Sequence, residues 1–100
     1  MIDSIKKRDG RIVAFDLEKI TAAIEKAFAA TGLHREDPAA LAAQVATRLE
    51  EAGLNQPEVE QIQDCVEQVL IDNGHVRTAK AYILYRAERT RIRQANTRLM

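Results

Sequence analysis

The first fifteen residues have the pattern of a β-hairpin, in which apolar residues lie on both sides of a polar segment with a turn dipeptide. Ile5 on one side and Ile12-Val13 on the other flank the dipeptide Asp9-Gly10. This dipeptide favours a two-residue type I′ turn, in which Gly10 supplies a residue with φ > 0. The pattern predicts two short antiparallel strands, and an extended segment at residues 54–56 is a candidate third strand of a small sheet.

From residue 16 onward, apolar residues recur at the i, i+3, i+4 and i+7 positions of amphipathic helices. Asp16 and Asp37 are predicted N-caps, and Gly32, Gly53 and Gly74 are predicted to end helices. The predicted helices run over Leu17–Thr31, from Pro38 to Gly53, over Pro57–Asn73 and from Val76 toward Met100. The expected fold class is α+β and mostly helical, with an N-terminal β-hairpin covering a four-helix bundle.

The apolar face of each predicted helix supplies candidate core positions. They are Ile20, Ile24, Ala27 and Phe28, then Leu41, Val45 and Leu49, then Val59, Ile62, Val66, Val69 and Leu70, and finally Val76, Ala79, Ile83 and Ala87. In the last turns of the fourth helix the apolar stripe is rotated, starting at Ile92. We expect these turns to leave the globule as a linker or a partner-binding helix.

The amino-acid composition limits the classes of protein to which the chain can belong. One hundred residues suffice for one domain, and 46% hydrophobic against 30% charged residues favours a folded core. No apolar run approaches the roughly 20 residues that span a bilayer, and the N-terminus lacks a signal peptide's apolar stretch, so we expect a soluble cytoplasmic protein.

Cys65 is alone, and His34 and His75 lack metal-binding spacing, so neither a metal site nor a redox cofactor is expected. Common phosphate-loop and nucleophile motifs are absent from the sequence, and we expect no catalysis.

The net charge of zero hides a strong segregation along the chain. Residues 1–11 carry four basic and two acidic side chains, residues 12–75 carry four and twelve, and residues 76–100 carry seven and one. An acidic middle between basic ends predicts that the ends either face the middle in the fold or meet an anion together.

The basic residues of the hairpin are a candidate anion site. Lys6-Lys7-Arg8 precede the turn and Arg11 follows it. The predicted start of the first helix adds unpaired backbone amides, which suit a phosphate, although Asp16 competes for them as a cap. From these residues alone, a solvated basic hairpin and a ligand site both stay open.

The fourth helix carries a second candidate surface. Tyr82, Arg86, Arg89 and Arg93 share one helical face, and Tyr85 adjoins it. Tyrosine among cations can stack on a base while the cations neutralise phosphate, whereas the alternative is a tyrosine packed in the core. A basic module that binds nucleic acid and a helix bundle that binds a protein therefore stay open as functions.

The order of these features resembles a known family. Residues Ile5 to Arg11, followed by Val13 to Ile20, closely resemble the opening of the ATP-cone, a nucleotide-binding regulatory domain. Val59 to Glu67 and Ala79 to Arg86 resemble the signatures of that family's third and fourth helices. The resemblance covers nearly the whole chain and is closest to the N-terminal cone of anaerobic (class III) ribonucleoside-triphosphate reductases.

The resemblance implies a set of nucleotide-binding residues. Lys7 and Arg8 match the basic pair that holds phosphates, and Lys19 would be a further phosphate ligand. Val13 departs from the acid that the family often carries at this position. The implied site comprises Lys7, Arg8, Val13, Ala14, Phe15, Asp16, Leu17, Glu18, Lys19, Ile20, Gln56, Tyr85 and Arg89.

The resemblance also implies allosteric control, in which ATP permits reduction and dATP stops it through a change of quaternary structure. The ligand would be ATP or dATP, with or without Mg²⁺, and the partner a reductase catalytic domain in cis or in trans. Neither a membrane nor nucleic acid is implied as a partner. Residues 1–91 would form the cone and residues 92–100 a helical linker. Because neither the glycyl-radical domain nor the zinc ribbon of the cone-containing repressor is present, we expect an isolated cone, cut from a reductase or free-standing.

Overall fold

A computed structural model describes residues 2–32 and 37–98, with the side chains of all of these except Thr90 and residues 93–98. Its elements are β1 Ser4–Lys6, β2 Ile12–Ala14, α1 Leu17–Thr31, α2 Pro38–Glu51, α3 Val59–Asp72 and α4 Val76–Arg98. This arrangement confirms the α+β, mostly helical fold class. His34 and the last two residues of the predicted linker lie outside the described residues.

β1 and β2 pair in antiparallel fashion, but their connection is a three-residue loop. The Lys7 N–H donates to the Arg11 carbonyl at 2.8 Å, and the Gly10 N–H donates to the Lys7 carbonyl at 2.9 Å. The predicted type I′ turn is wrong, because it requires φ > 0 at both central residues and only glycines among the described residues have positive φ. Gly10, at φ 88°, instead completes a loop with a glycine bulge. The Asp9 carboxylate accepts bonds from the Arg11 backbone and side chain, which hold the loop and lower the pKa of Asp9.

The third strand expected at residues 54–56 is not formed; the sheet has two strands in the described part of the chain. One parallel bridge joins Lys6 to Glu58 instead, and the Lys6 N–H donates to the Pro57 carbonyl at 3.0 Å. Pro57 has no N–H to continue a ladder, so pairing stops at a single bridge. The contact nevertheless ties the hairpin to the start of α3.

The predicted caps of α1 and α2 are confirmed. The Asp16 carboxylate accepts the Glu18 N–H at 3.0 Å, and the Asp37 carboxylate accepts the Ala39 N–H at 3.0 Å. Gly32 ends α1 in the left-handed conformation, at φ 71°. These local bonds satisfy amides that a helix start leaves unpaired, so each cap acts without help from distant parts of the chain.

The third helix begins at Val59 rather than at Pro57. Glu58 occupies the N-cap, and its backbone N–H donates to the Gln61 side-chain oxygen at 2.8 Å. The residue before this helix is held in extended conformation by the bridge to the hairpin. The start of α3 is therefore set jointly by its own cap and by a contact with the sheet.

The predicted core of the first three helices is confirmed, with Val59 alone of that set half-buried rather than buried. Phe28 and Ile24 of α1 are completely buried, and Leu70 of α3 packs with them in one cluster. The other buried members of the prediction are Ile20, Ala27, Leu41, Val45, Leu49, Ile62, Val66 and Val69.

The buried face predicted for α4 is confirmed at Ala79 and wrong at Val76, Ile83 and Ala87, which are exposed. Val76 and Ile83 are 50% and 43% exposed, whereas Thr78, Ala79 and Tyr82 face the core. The helix carries apolar residues on several sides, so its periodicity does not single out one face. Packing against α1 and α3 selects the face that carries Tyr82.

The four helices close into a ring, in which α1 packs against α2 and α4, and α3 packs against the same two helices. The hairpin lies at the end of the ring where α1 and α3 begin, because β2 leads directly into α1 and the bridge from Lys6 to Glu58 joins β1 to the start of α3. Within the described residues, no helix is both long and apolar enough to cross a membrane.

Candidate functional site

A cavity of about 290 Å³ opens between the hairpin, the first turns of α1, and the facing sides of α3 and α4; we call it the central cavity. All four elements contribute to its walls. The lining residues are Ile5, Lys7, Arg8, Val13, Ala14, Phe15, Asp16, Lys19, Ile20, Ala23, Val59, Ile62, Gln63, Val66, Tyr82 and Arg89. The hairpin thus covers a space that the ring of helices alone would leave open.

Four cations line the central cavity, and we call them the basic mouth: Lys7, Arg8, Lys19 and Arg89. They come from the hairpin, α1 and α4, and a single stretch of sequence could not place them together. Lys7 is half-buried and its backbone is fixed on both sides of the loop by hydrogen bonds. A set of cations that converge from three elements suits a ligand with several negative charges.

Arg8 is positioned by a carboxylate of α3. Its Nε lies 3.7 Å from Glu60 Oε1, with both side chains partly exposed. An exposed pair at this distance contributes little to stability but restricts where the guanidinium can go. The pair holds Arg8 at the boundary between the hairpin and α3.

A second, more open cavity of about 560 Å³ adjoins the first on the far side of the hairpin loop; we call it the side cavity. It shares Lys7, Arg8 and Val59 with the central cavity and extends over Asp9 and Glu60. Lys7 and Arg8 therefore lie between the central cavity and the side cavity. A long anionic group has room to extend past both side chains.

The central cavity is apolar away from the basic mouth. Its other walls carry Ile20 and Ala23 of α1, Ile62 and Val66 of α3, and Tyr82 of α4. Tyr82 is only 5% exposed, and burial raises its pKa to about 12, so the phenol stays neutral at physiological pH. Apolar walls with a few polar groups are typical of sites for organic ligands.

Gln63 interrupts these apolar walls. It lies on α3 one turn from Val59 and from Val66, on the face that lines the central cavity. Its Oε1 is buried and has no hydrogen-bond partner among the described residues. A buried acceptor left without a donor costs about 1–3 kcal/mol, so the free protein carries an unsatisfied polar group at this wall.

Some residues of the predicted site lie elsewhere. Gln56 donates from Nε2 to the Ser4 hydroxyl at 3.0 Å, and Tyr85 lies under Lys26, whose ammonium is 5.6 Å from the ring centre. Leu17 and Glu18, both described, are exposed at the start of α1 and do not line the central cavity. The predicted residues that do line it are Lys7, Arg8, Val13, Ala14, Phe15, Asp16, Lys19, Ile20 and Arg89.

The face of α4 that the sequence grouped together is divided in the fold. Tyr82 and Arg89 line the central cavity, whereas Arg86 donates to Asp64 at 2.8 Å and to Glu67 at 2.7 Å on α3. These carboxylates raise the pKa of Arg86 against its partial burial, and the guanidinium is engaged in joining two helices. The side chain of Arg93 lies outside the described residues.

Sequence reasoning did not assign Tyr82 or Gln63 to the site. The sequence allows two interpretations of Tyr82, a side chain packed in the core or a contact to a ligand. In the fold, Tyr82 is buried and also lines the central cavity. For Gln63 a signal was present, since a polar residue stands between Val59 and Val66 at helical spacing on an apolar face. The spacing alone does not reveal that this face borders a cavity.

The remaining candidate chemistry is structural. Cys65 is half-buried, burial raises the pKa of its thiol, and its Sγ lies 3.7 Å from the Val45 carbonyl. His75 packs edge-on against the Phe28 ring, with centroids 5.2 Å apart. Within the described residues, no cluster of histidine, cysteine and carboxylate side chains could hold a metal ion.

A basic mouth over an apolar cavity, built on a hairpin and a ring of four helices, defines a small domain that can take an anionic organic ligand. Residues 3–91 match the ATP cone domain, and the chain belongs to this family of nucleotide-binding regulatory domains. The family expected from the sequence is thereby confirmed.

Relatives are ribonucleotide reductases of several kinds. The chain is 44% identical to the alpha subunit of ribonucleoside-diphosphate reductase from Chlamydia muridarum, over 90% of this chain and 10% of the relative. It is 43% identical to the vitamin B12-dependent ribonucleoside-diphosphate reductase of Thermoplasma acidophilum, over 94% of this chain and 13% of the relative. It is 35% identical to the anaerobic ribonucleoside-triphosphate reductase of Escherichia coli, over 99% and 14%. The chain thus spans about a tenth of the length of these relatives.

Proposed function

We propose that the chain is a non-catalytic module that binds ATP and dATP in the central cavity and thereby regulates a ribonucleotide reductase. The observation that carries this proposal is the convergence of Lys7, Arg8, Lys19 and Arg89 on one cavity whose remaining lining is mostly apolar. A nucleoside triphosphate has the matching polarity, with an apolar aromatic base at one end and several negative charges at the other. Membership of the ATP-cone family supports the same ligand.

The arrangement of the cavity suggests how the ligand lies. The base and ribose occupy the apolar part of the central cavity, whose volume of about 290 Å³ is at the lower limit for a small-molecule site. The triphosphate contacts Lys7 and Arg8, where the central cavity and the side cavity meet. Asp16 stays engaged as the cap of α1 and keeps its carboxylate occupied by the Glu18 amide.

The proposed partner is a reductase catalytic domain, in cis or in trans, since the relatives are reductases several times longer than this chain. The nucleotide acts on that partner by changing the packing of α4, which contributes Tyr82 and Arg89 to the central cavity while other faces of the helix stay exposed. Oligomer-dependent switching is part of the proposal.

Titration calorimetry with ATP, dATP and a short oligonucleotide tests the proposed ligand. We expect both nucleotides to bind, and the oligonucleotide to bind weakly with strong dependence on salt. ATP hydrolysis should stay at the background level, because the sequence has no phosphate-loop lysine motif and the central cavity offers no activated base. Tight oligonucleotide binding with no heat from either nucleotide would instead assign the chain to nucleic-acid recognition.

A further inference from the structure

Glu60 lies where the basic mouth meets the side cavity. Three carboxylates line the side cavity, those of Asp9, Glu58 and Glu60. The Asp9 carboxylate is bonded to Arg11, which is not part of the basic mouth. Glu60 instead pairs with Arg8, with Oε1 at 3.7 Å from Nε. The carboxylate of Glu60 therefore lies against one of the cations that the proposed function assigns to the phosphates.

Glu60 places a negative charge where the proposed ligand is negative as well. Its side chain is 61% exposed at the edge of the side cavity. It also lies in the first turn of α3, where a negative charge offsets the positive end of the helix dipole. Phosphates at Arg8 consequently meet a carboxylate beside them instead of an uncompensated helix start.

Two effects of Glu60 on a bound phosphate have opposite signs. The ion pair restricts the guanidinium of Arg8 and so favours binding, but an exposed pair at this distance is weak and this gain is small. The carboxylate also competes for Arg8 and repels the ligand, and the repulsion grows with each negative charge that the ligand carries. For a nucleoside triphosphate the second effect is the larger.

Resting on the proposed function, we propose that Glu60 is a specificity-determining residue that weakens nucleotide binding and limits how far the site distinguishes a triphosphate from a diphosphate. A phosphate bound at Arg8 either displaces Glu60 from the guanidinium or shares the guanidinium with it. In both cases ATP brings one more negative charge toward this carboxylate than ADP does and is disfavoured more. Glu60 thereby reduces the preference for ATP that the basic mouth alone would give.

Calorimetric titration with ATP and with ADP, at one fixed concentration of Mg²⁺, measures this effect. Glu60→Gln should bind ATP roughly two- to tenfold more tightly than the wild type and gain less for ADP, so that the ratio of ATP to ADP affinity rises. In about 0.5 M salt the gain for ATP should fall below roughly twofold, because exposed charges are screened. Glu60→Asp keeps the charge and should bind both nucleotides within about twofold of the wild type.

Asp64→Asn is the matched control. Asp64 lies one helical turn beyond Glu60 on α3, accepts a bond from Arg86 at 2.8 Å and belongs to the described lining of neither cavity. The substitution removes the same charge from the same helix, while Arg86 keeps its bond to Glu67 at 2.7 Å. It should leave the ATP affinity and the ratio of ATP to ADP affinity within about twofold of the wild type. Circular dichroism checks that all variants are folded.

The outcomes separate the two proposals. If the wild-type chain binds neither nucleotide, the proposed function fails and this inference with it. If the wild type binds ATP and Glu60→Gln binds it no more tightly, the site stands and the competition by Glu60 is overturned. Equal gains for ATP and ADP, a gain that persists undiminished in 0.5 M salt, or the same gain in Asp64→Asn would overturn it too.

Discussion

Arg8 and Arg86 show how the same side chain takes different roles in this fold. Both pair with carboxylates of α3, but Arg8 does so at 3.7 Å through a mostly exposed Glu60, and Arg86 does so at 2.7 Å with a Glu67 that is mostly covered. Arg8 lines the central cavity and Arg86 is absent from its described lining. The first is placed for a ligand, and the second joins two helices.

Replacing Lys7 and Arg8 together by alanine should lower the affinity for ATP by more than roughly tenfold, because each charge-assisted bond to the triphosphate is worth about 1.5–3 kcal/mol. Titration calorimetry measures the loss, and circular dichroism checks that the fold is intact. The double variant Arg77→Ala, Lys80→Ala removes two exposed cations of α4 outside the central cavity and serves as the charge-matched control. ATP binding that survives the hairpin substitutions would place the phosphates elsewhere.

The raised pKa of Tyr82 predicts a pH-dependent loss of stability. The unfolded state releases this proton near pH 10 and the folded state near pH 12, so between these values the unfolded chain binds fewer protons and stability falls as pH rises. For this group the free energy of unfolding should drop by about 1.4 kcal/mol between neutral pH and pH 11. Urea denaturation of wild type and Tyr82→Phe at both pH values isolates the effect, since the phenylalanine variant lacks the ionisable group. Parallel pH dependence in the two proteins would contradict it.

At the scale of elements, the start of α1 has two roles, since it is a capped helix end and also part of the wall of the central cavity. Asp16 caps the helix through the Glu18 amide, and the same residue lines the central cavity beside Lys19. On the proposed function, the helix start keeps its geometry while a nucleotide binds next to it. A cap formed by its own side chain holds this end of the helix without a ligand.

Asp16→Ala should lower the free energy of unfolding by about 0.5–2 kcal/mol, whereas Asp16→Asn should cost far less because asparagine caps helices equally well. Urea denaturation measures both. Asp37→Ala removes the corresponding cap of α2 and should destabilise by a similar amount without affecting nucleotide affinity. Equal destabilisation by Asp16→Asn and Asp16→Ala would show that the charge, not the capping bond, is what matters.

Substitutions of Arg86 and Arg89, two of the arginines of α4, should separate effects on stability from effects on ATP binding. Arg86→Ala leaves Glu67 partly buried without its cation and should cost about 1–3 kcal/mol of unfolding free energy, with little change in ATP affinity. Arg89→Ala should lower ATP affinity while changing the unfolding free energy by less than about 0.5 kcal/mol, because Arg89 is exposed at the cavity. Urea denaturation and calorimetry on both variants give the comparison. An equal loss of affinity in both would mean that α4 acts as a rigid unit.

At the scale of the molecule, the segregated charge is resolved in one of the two expected ways. The basic ends face the acidic middle through Arg8 with Glu60 and through Arg86 with Asp64. They also meet each other, because Lys7 from one end and Arg89 from the other line the same cavity. The ring of helices brings basic residues from both ends of the chain to one cavity, so the proposed nucleotide would contact both.

Removal of residues 92–100 should leave ATP and dATP affinities within about twofold of wild type, because the described lining of the central cavity extends only to Arg89. The two nucleotides should differ by at most roughly tenfold in either protein, since they differ by one hydroxyl. Calorimetry gives the affinities, and sedimentation with each nucleotide gives the assembly state when the chain is joined to a reductase catalytic domain. Lost binding in the truncated chain would extend the site into the last turns of α4.

The sequence by itself determined the features that depend on neighbours along the chain. The caps at Asp16 and Asp37, the end of α1 at Gly32 and the buried stripes of the first three helices follow from short-range hydrogen bonds and a single apolar face. The family was evident for the same reason, since its motifs are contiguous blocks. Lys7, Arg8 and Lys19 were expected to act together on that resemblance, and the fold does bring them to one cavity.

Only the tertiary structure decided the features that depend on contacts between distant segments. Helix α4 turns Tyr82 inward and leaves Ile83 exposed, because α1 and α3 select among its several apolar faces. Tyr85 is drawn toward Lys26 and Gln63 toward the cavity by the same packing. Local pattern specifies what each helix can bury, but the rotation of one helix against its neighbours specifies which side chains share a site.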